Sequence, residues 1–319
     1  MAHILITGVA GFIGSHTAEF FLRQGFQVSG IDNFDAFYDR SYKEKNLHLL
    51  QQYPGFRFWE YDFVQPGLEN LLPDSPDTVI HLGAKAGVLP SLKNPGEYIR
   101  VNIEGTLRVL EYMQKVGCRK LLFASSSSVY GNTPVPFSES ADVTSPISPY
   151  AFSKKSGELL TYNFHHLYGF DVLNLRFFTV IGERQRPDLA VHKFVKAILN
   201  QETITLYGKG DTARDYTYVG DIVQGIFKAW KYLEAHNGVY ENINLGNNRP
   251  INLLEMVETI EDVLGTQANK AFSEAKPGDM EKTFASIEKA GQLLGYQPET
   301  SFREGVRRFA EWYKTEFPS

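Results

Sequence analysis

Tyr150-Ala151-Phe152-Ser153-Lys154 places a phenol and an ammonium four positions apart. On a helix, residues at that spacing share a face, so both groups can reach one site. A free phenol has a pKa of about 10 and is a poor base at neutral pH. A neighbouring ammonium favours the phenolate and makes it a usable base toward an alcohol. Upstream, Ser125-Ser126-Ser127-Ser128-Val129-Tyr130-Gly131 follows the apolar run Lys120–Ala124. Hydroxyls at the C-terminal end of a parallel strand face the crevice where such sheets bind ligands. One serine there can hydrogen-bond a substrate hydroxyl and join a proton path. A Tyr–Lys pair is common on amphipathic helices, and serine runs are common in loops. Their joint placement is what points to chemistry.

The elements that must hold these groups are legible as a pattern. His3–Gly8, Gln27–Asp32, Phe56–Asp62, Thr78–Gly83, Lys120–Ser126 and Asp171–Phe177 read as strands. Helical spacing covers Phe12–Gln24, the region near Tyr98–Val116 and Tyr150–Tyr168, with Ser148 or Pro149 at the start of the last. Continuous apolar strands alternating with helices predict an α/β fold, a Rossmann-type doubly wound parallel sheet covered on both faces. From about Phe178 the chain carries more Gly, Pro and charge, with shorter elements at Ile204–Tyr207, Leu253–Leu264 and Phe302–Thr315. The expected organisation is a dinucleotide-binding domain over 1–177 and a smaller α/β C-terminal substrate lobe over 178–319. Asp215–Leu233, within a segment 215–240, is expected to return to the first domain.

Gly8-Val9-Ala10-Gly11-Phe12-Ile13-Gly14 follows the first strand and opens the first helix. Gly8 supplies the tight turn, Gly11 lets the backbone approach a pyrophosphate, and Gly14 lets the helix pack on the sheet. The helix N-terminus offers unpaired N–H groups and a positive dipole end to phosphates. Asp32, followed by Asn33, closes the second strand. A carboxylate there accepts hydrogen bonds from ribose hydroxyls and repels a 2′-phosphate, which favours NAD over NADP. The positive nicotinamide would then add to the lysine in lowering the Tyr150 pKa.

Composition narrows the classes. The chain has 319 residues, 43% hydrophobic and 22% charged, with a formal charge of −5. These values suit a globular protein and argue against a nucleic-acid binder. The single cysteine, Cys118, has no internal partner and is read as a structural thiol. No Cys/His cluster suggests a metal. The first strand begins at His3, leaving no room for a signal peptide, and no apolar stretch is long enough for a membrane span. A cytoplasmic protein is expected.

The sequence resembles the nucleotide-sugar epimerase/dehydratase branch of the extended short-chain dehydrogenases. The resemblance spans almost the whole chain. It rests on GVAGFIGSH at 8–16, HLGAKAG at 81–87, SSSSVYG at 125–131, SPYAFSKK at 148–155, RFFTVIG at 176–182, RDYTYV at 214–219 and KPGD at 276–279. It implies Tyr150, Lys154 and Ser126 as the catalytic set, with NAD held by the glycine turn, Phe12, Ile13, Asp32, Asn33, Asp62, Lys85, Tyr150 and Lys154. The related 4,6-dehydratases carry an Asp-Glu pair before VYG, and the UDP-glucuronate decarboxylases a Glu. Ser127 and Ser128 stand there instead, so 4-epimerisation through a keto sugar is the reading left. A homodimer built on helices near 98–116 and 150–168 is also implied; Leu107, Leu110, Leu159 and Phe164 permit that contact and equally suit core packing.

Phe177–Asp188 (FFTVIGERQRPD) resembles a stretch of UDP-glucuronate 4-epimerases. A uronate carboxylate matches a guanidinium fork. Arg186 is the expected partner, with Thr179, Ser126, Ser127 and Ser128 around the sugar and Arg214 and Lys276 on the diphosphate. Ile181, Glu183, Lys85 and Leu89 depart from the usual residues of that group. UDP-glucose/galactose and UDP-N-acetylhexosamines therefore stay open as substrates. A net oxidoreductase and a silent NAD-binding protein are the rival classes.

Overall fold

Ile4, Leu5 and Ile6 have no exposed surface, although successive strand side chains point to opposite faces. Both faces of their sheet must therefore be covered. The computed structural model describes residues 2–72, 74–210, 212–274 and 282–318 and shows how. The central sheet contains β1 (His3–Thr7), β2 (Gln27–Asp32), β3 (Phe56–Glu60), β4 (Thr78–His81), β5 (Lys120–Ser126), β6 (Asp171–Phe177) and a seventh strand, Tyr240–Leu245. They lie in the order Tyr240–Leu245, β6, β5, β4, β1, β2, β3. Every pairing in it is parallel. The strand order reverses between β1 and β4, which opens a crevice at their C-terminal ends.

Two cores flank the sheet. On one face, α1 (Phe12–Arg23) and the helix Val219–Ala235 bury Phe21, Leu22, Ile222 and Ile226 against Ile4, Ile6 and Leu122. On the other, Val109, Leu110 and Met113 of the helix Gly105–Val116 pack on Leu5, Val79 and Leu121. A separate core, with Val195, Leu206, Met256 and Phe309, serves the smaller strands and helices of the second half. The segment after residue 215 thus supplies both a covering helix and an edge strand to the central sheet.

Six sheet strands fall where the apolar runs predicted, with some ends shorter; the seventh, Tyr240–Leu245, was not anticipated and runs past the 215–240 segment expected to return. β4 stops at His81, two residues before Gly83, where a Cβ would stand 2.6 Å from Phe63. β3 stops at Glu60, so Asp62 lies beyond the strand it was expected to close. The region 98–116 is a short helix, a π-helical stretch Ile99–Glu104 and an α-helix in succession. The helix Pro149–Tyr168 starts with Pro149 at its first position and Ser148 as cap, whose hydroxyl accepts from the Ala151 N–H at 3.1 Å. It ends at Gly169 with φ +67°, a left-handed conformation that favours glycine.

Candidate active site

A cleft of about 550 Å³ runs along the C-terminal ends of the strands. That is ample for a cofactor or substrate group. Gly8, Gly11, Phe12, Ile13 and Gly14 form its floor. Gly8 adopts φ +69°, and a Cβ on it would stand 2.8 Å from Gly83 Cα. A Cβ on Gly14 would stand 2.1 Å from the Gly8 carbonyl oxygen. The turn therefore tolerates no side chain at either position, and α1 points its free N–H groups at the cleft.

Asp32 is nearly buried at the cleft edge. Its Oδ1 accepts from Phe34 N–H at 2.8 Å and Lys43 Nζ at 3.1 Å, and its Oδ2 from Ala10 N–H at 3.2 Å. Asn33 also lines the cleft. Asp62 is not among the described lining residues; its carboxylate accepts from Val64 N–H and lies 3.6 Å from Arg100. Lys85 lines the cleft, but its ammonium is held between Asp35 and Glu97, at 2.8 Å from each. Burial alone would lower its pKa; the two carboxylates raise it.

The reacting groups converge on the opposite wall. Tyr150, Lys154, Ser126, Ser127 and Ser128 all line the cleft. Lys154 Nζ donates to the Ala124 carbonyl at 2.7 Å, anchoring the ammonium to the end of β5. Burial pushes its pKa down to about 7. Ser126 Oγ accepts from Ser128 N–H at 3.2 Å and Ser128 Oγ at 3.0 Å, which leaves its own proton to donate. Burial raises the Tyr150 pKa, while hydrogen bonding from Ser126 and the charge of Arg186 work against it. Lys154 was expected to be the lowering partner. Within the protein alone that part falls to Ser126 and Arg186.

Thr179, Arg186 and Arg214 complete the far side. Arg186 does not present a free fork: its Nε and Nη2 donate to Asp188 at 2.9 and 2.8 Å, and Phe37 lies 5.3 Å away over its charge. Lys276 lies outside the described residues. The departures at Ile181 and Glu183 stay away from the cleft. Ile181 is core, and the Glu183 carboxylate accepts from the Tyr218 hydroxyl at 3.0 Å. Leu89 does line it. Sequence reading missed Phe37, Tyr38 and Lys43, which enter from the loop after β2 and the helix α2 (Arg40–Leu50) and carry no spacing signal. Among the described lining residues, the carboxylates are those of Asp32 and Asp35, both on the glycine-turn side.

A dinucleotide cradle joined to a Ser/Tyr/Lys set at the switch point of a doubly wound sheet defines an extended short-chain dehydrogenase of the nucleotide-sugar branch. The chain belongs to the family described as GDP-mannose 4,6 dehydratase, which matches residues 5–309. It is 41% identical over 317 residues to a UDP-glucuronate 4-epimerase of Thermodesulfobacterium geofontis, covering 98% of this chain and 97% of the relative. The Bacillus cereus UDP-glucuronic acid 4-epimerase, solved with UDP-glucuronic acid and NAD, superposes with a TM-score of 0.93 at 35% identity, covering 99% of this chain and 100% of that one. A UDP-N-acetylglucosamine 4-epimerase of Methanobrevibacter ruminantium, solved with UDP-N-acetylmuramic acid, superposes with a TM-score of 0.89 at 30% identity and 99% coverage of both chains.

No described helix is long and apolar enough to cross a membrane, and no described group of His, Cys, Asp and Glu is arranged to hold a metal ion. Cys118 is buried, and burial pushes its thiol up to about 12.

Proposed function

We propose that this protein is an NAD-dependent 4-epimerase of UDP-sugars, acting on UDP-glucuronate and UDP-galacturonate. The observation that carries the reaction type is the make-up of the cleft wall. Tyr150, Lys154 and Ser126 meet there, and the described lining carries no carboxylate besides Asp32 and Asp35 on the glycine-turn side. Elimination of water needs a paired acid and base, and Ser127 and Ser128 cannot act as that pair.

NAD, when bound, supplies hydride acceptance and return at the sugar C4. The glycine turn and α1 would hold its pyrophosphate, and Asp32 its ribose. Tyr150 removes the proton from the sugar O4, and Ser126 hydrogen-bonds the same oxygen. Lys154, anchored on the Ala124 carbonyl, would hold the cofactor ribose. Tyr150 later returns the proton once the 4-keto sugar has presented its other face. Arg186 and Thr179 take the C6 carboxylate, and Arg214 the diphosphate.

The same proposal includes the division into a cofactor lobe, 1–177 with 215–240 returning to it, and a sugar-nucleotide lobe, 178–319. It includes a cytoplasmic homodimer. Phe152, Leu159, Tyr162 and Leu167 are 47–59% exposed on the helix Pro149–Tyr168, an apolar face that a second copy would cover. Leu110 and Phe164 are core residues and are withdrawn as contacts.

The test is incubation with UDP-glucuronate, UDP-glucose and UDP-N-acetylglucosamine in turn, following the sugar protons by NMR. UDP-galacturonate without net NADH is the expected result. Turnover of a neutral sugar alone would remove the uronate assignment. Loss of CO2 or of water from the substrate would remove the epimerase reading.

A further inference from the structure

Arg176 and Glu158 lie outside the described cleft lining, and each side chain is 1% exposed. Yet they stand between its working parts. Arg176 of β6 is in register with Ser125 of β5, the neighbour of Ser126. Its Nε and Nη2 donate to the two oxygens of Glu158 at 2.8 and 2.9 Å. Its Nη1 donates to the Tyr130 hydroxyl at 3.0 Å. Glu158 sits one helical turn beyond Lys154 and also accepts from Ser125 Oγ at 2.7 Å. Tyr130, in the turn after the serines, donates to Asn244 Oδ1 at 2.6 Å. Asn244 Nδ2 then donates to the carbonyls of Phe137 and Ser286 at 2.9 and 3.1 Å. Ser286 follows the cleft-lining Thr283 on the same strand of chain.

One buried ion pair thus ties together the helix carrying Tyr150 and Lys154, the strand end carrying Ser126, the turn that follows it, and a segment of the second half. Stability alone does not explain it. Replacing a buried ion pair with apolar side chains of similar volume is often neutral or stabilising. The pair does solve a geometric problem: the three reacting groups lie on two separate elements, and an error of about 1 Å between such elements can cost roughly a hundredfold in rate.

We propose that Glu158 and Arg176, with Tyr130, are positioning residues that fix Ser126 against Tyr150 and Lys154 and thereby set turnover and not binding. This rests on the reading of Tyr150, Lys154 and Ser126 as the reacting set.

The test compares Glu158→Gln, Tyr130→Phe and the double variant Glu158→Met/Arg176→Met with the wild-type holoenzyme. Thermal melts, NAD affinity, KM and kcat are measured for each. The double variant removes both charges, so its melting temperature is expected near that of the wild type. Its kcat is expected to fall about a hundredfold, with KM and NAD affinity unchanged. Glu158→Gln is expected to lower kcat in the same sense, and Tyr130→Phe to a smaller extent. A structural role alone would lower stability and leave kcat per folded enzyme intact. Wild-type kcat in whichever of these variants folds overturns the proposal. Tyr150→Phe is run alongside. If it stays active, the reading of the reacting set has failed; if it is inactive while the double variant is fully active, the positioning proposal alone has failed.

Discussion

Arg186 and Asp188 face each other through two hydrogen bonds, from Nε at 2.9 Å and from Nη2 at 2.8 Å. Arg186 lines the cleft with Tyr150 while Asp188 lies behind the described lining, and the pairing makes Nη1 the edge of the guanidinium left to turn toward a ligand. A uronate carboxylate is therefore expected to share the arginine with Asp188 and not to displace it. Arg186→Ala is expected to lower kcat/KM for UDP-glucuronate by about 10- to 150-fold, the range of a charged hydrogen bond. The loss for UDP-glucose should be smaller, limited to what the Arg186 charge contributes to the Tyr150 phenolate. Equal losses for both sugars, measured by coupled assay, would show that Arg186 does not read the carboxylate.

Ser126 and Arg186 act in the same direction on Tyr150, favouring the phenolate that burial disfavours. The base is active when deprotonated, so activity rises with pH through its pKa. Ser126→Ala removes one of the two supports, and the rising limb of the kcat profile should move to higher pH. At neutral pH, kcat should fall by roughly 10²–10⁴, with partial recovery in alkaline buffer. A uniform loss with an unmoved profile would place Ser126 outside the proton path.

Asp32 has three of its roughly four lone-pair positions occupied, by Phe34 N–H, Ala10 N–H and Lys43. The remaining position, on Oδ2, suits one ribose hydroxyl. Asp32→Ala should weaken NAD binding at least tenfold, about 1.4 kcal/mol. It should also leave Lys43 as an unmatched cation beside the ribose, so NADP should gain on NAD. Titration of both cofactors checks this. An unchanged NAD-to-NADP ratio would mean that Asp32 does not set the preference.

The parts legible in the sequence share a property: their information is local. Gly8, Gly11 and Gly14 signal the cradle because turn, approach and packing each act within one strand–turn–helix unit. Tyr150 and Lys154 share a helix face by spacing alone. What stayed hidden depends on register or rotamer. Glu158 and Arg176 meet only because β6 lies beside β5 under that helix. The Arg186–Asp188 grip is a side-chain choice that the single intervening residue, Pro187, does not dictate. Leu110 and Phe164 suit either a subunit contact or core packing in a helical pattern, and the fold places both in the core. Asp62 was assigned by strand position, and a strand two residues shorter places it beside Arg100.

His81 extends the same logic to acid stability. Thr7 Oγ1 accepts from Gly83 N–H at 2.9 Å and keeps its own proton available to donate to His81 Nδ1, 2.6 Å away. Thr106 Oγ1 donates to the Asn102 carbonyl at 2.6 Å and so accepts from His81 Nε2 at 3.2 Å. The hydrogen bonds thus fit a neutral imidazole. Burial, with the Lys154 charge, holds its pKa down to about 3, and burial with the Arg184 charge does the same for His16. Unfolded histidine titrates near 6.5, so between about pH 6.5 and 3 the unfolded chain binds protons that the folded protein refuses. Stability must fall as pH falls through that window, by a few kcal/mol for each histidine. Urea unfolding at about pH 7 and about pH 4.5 measures the slope. His81→Asn is expected to start less stable and to lose less between the two. If variant and wild type lose the same amount, His81 is not a neutral buried group and the hydrogen-bond assignment is wrong.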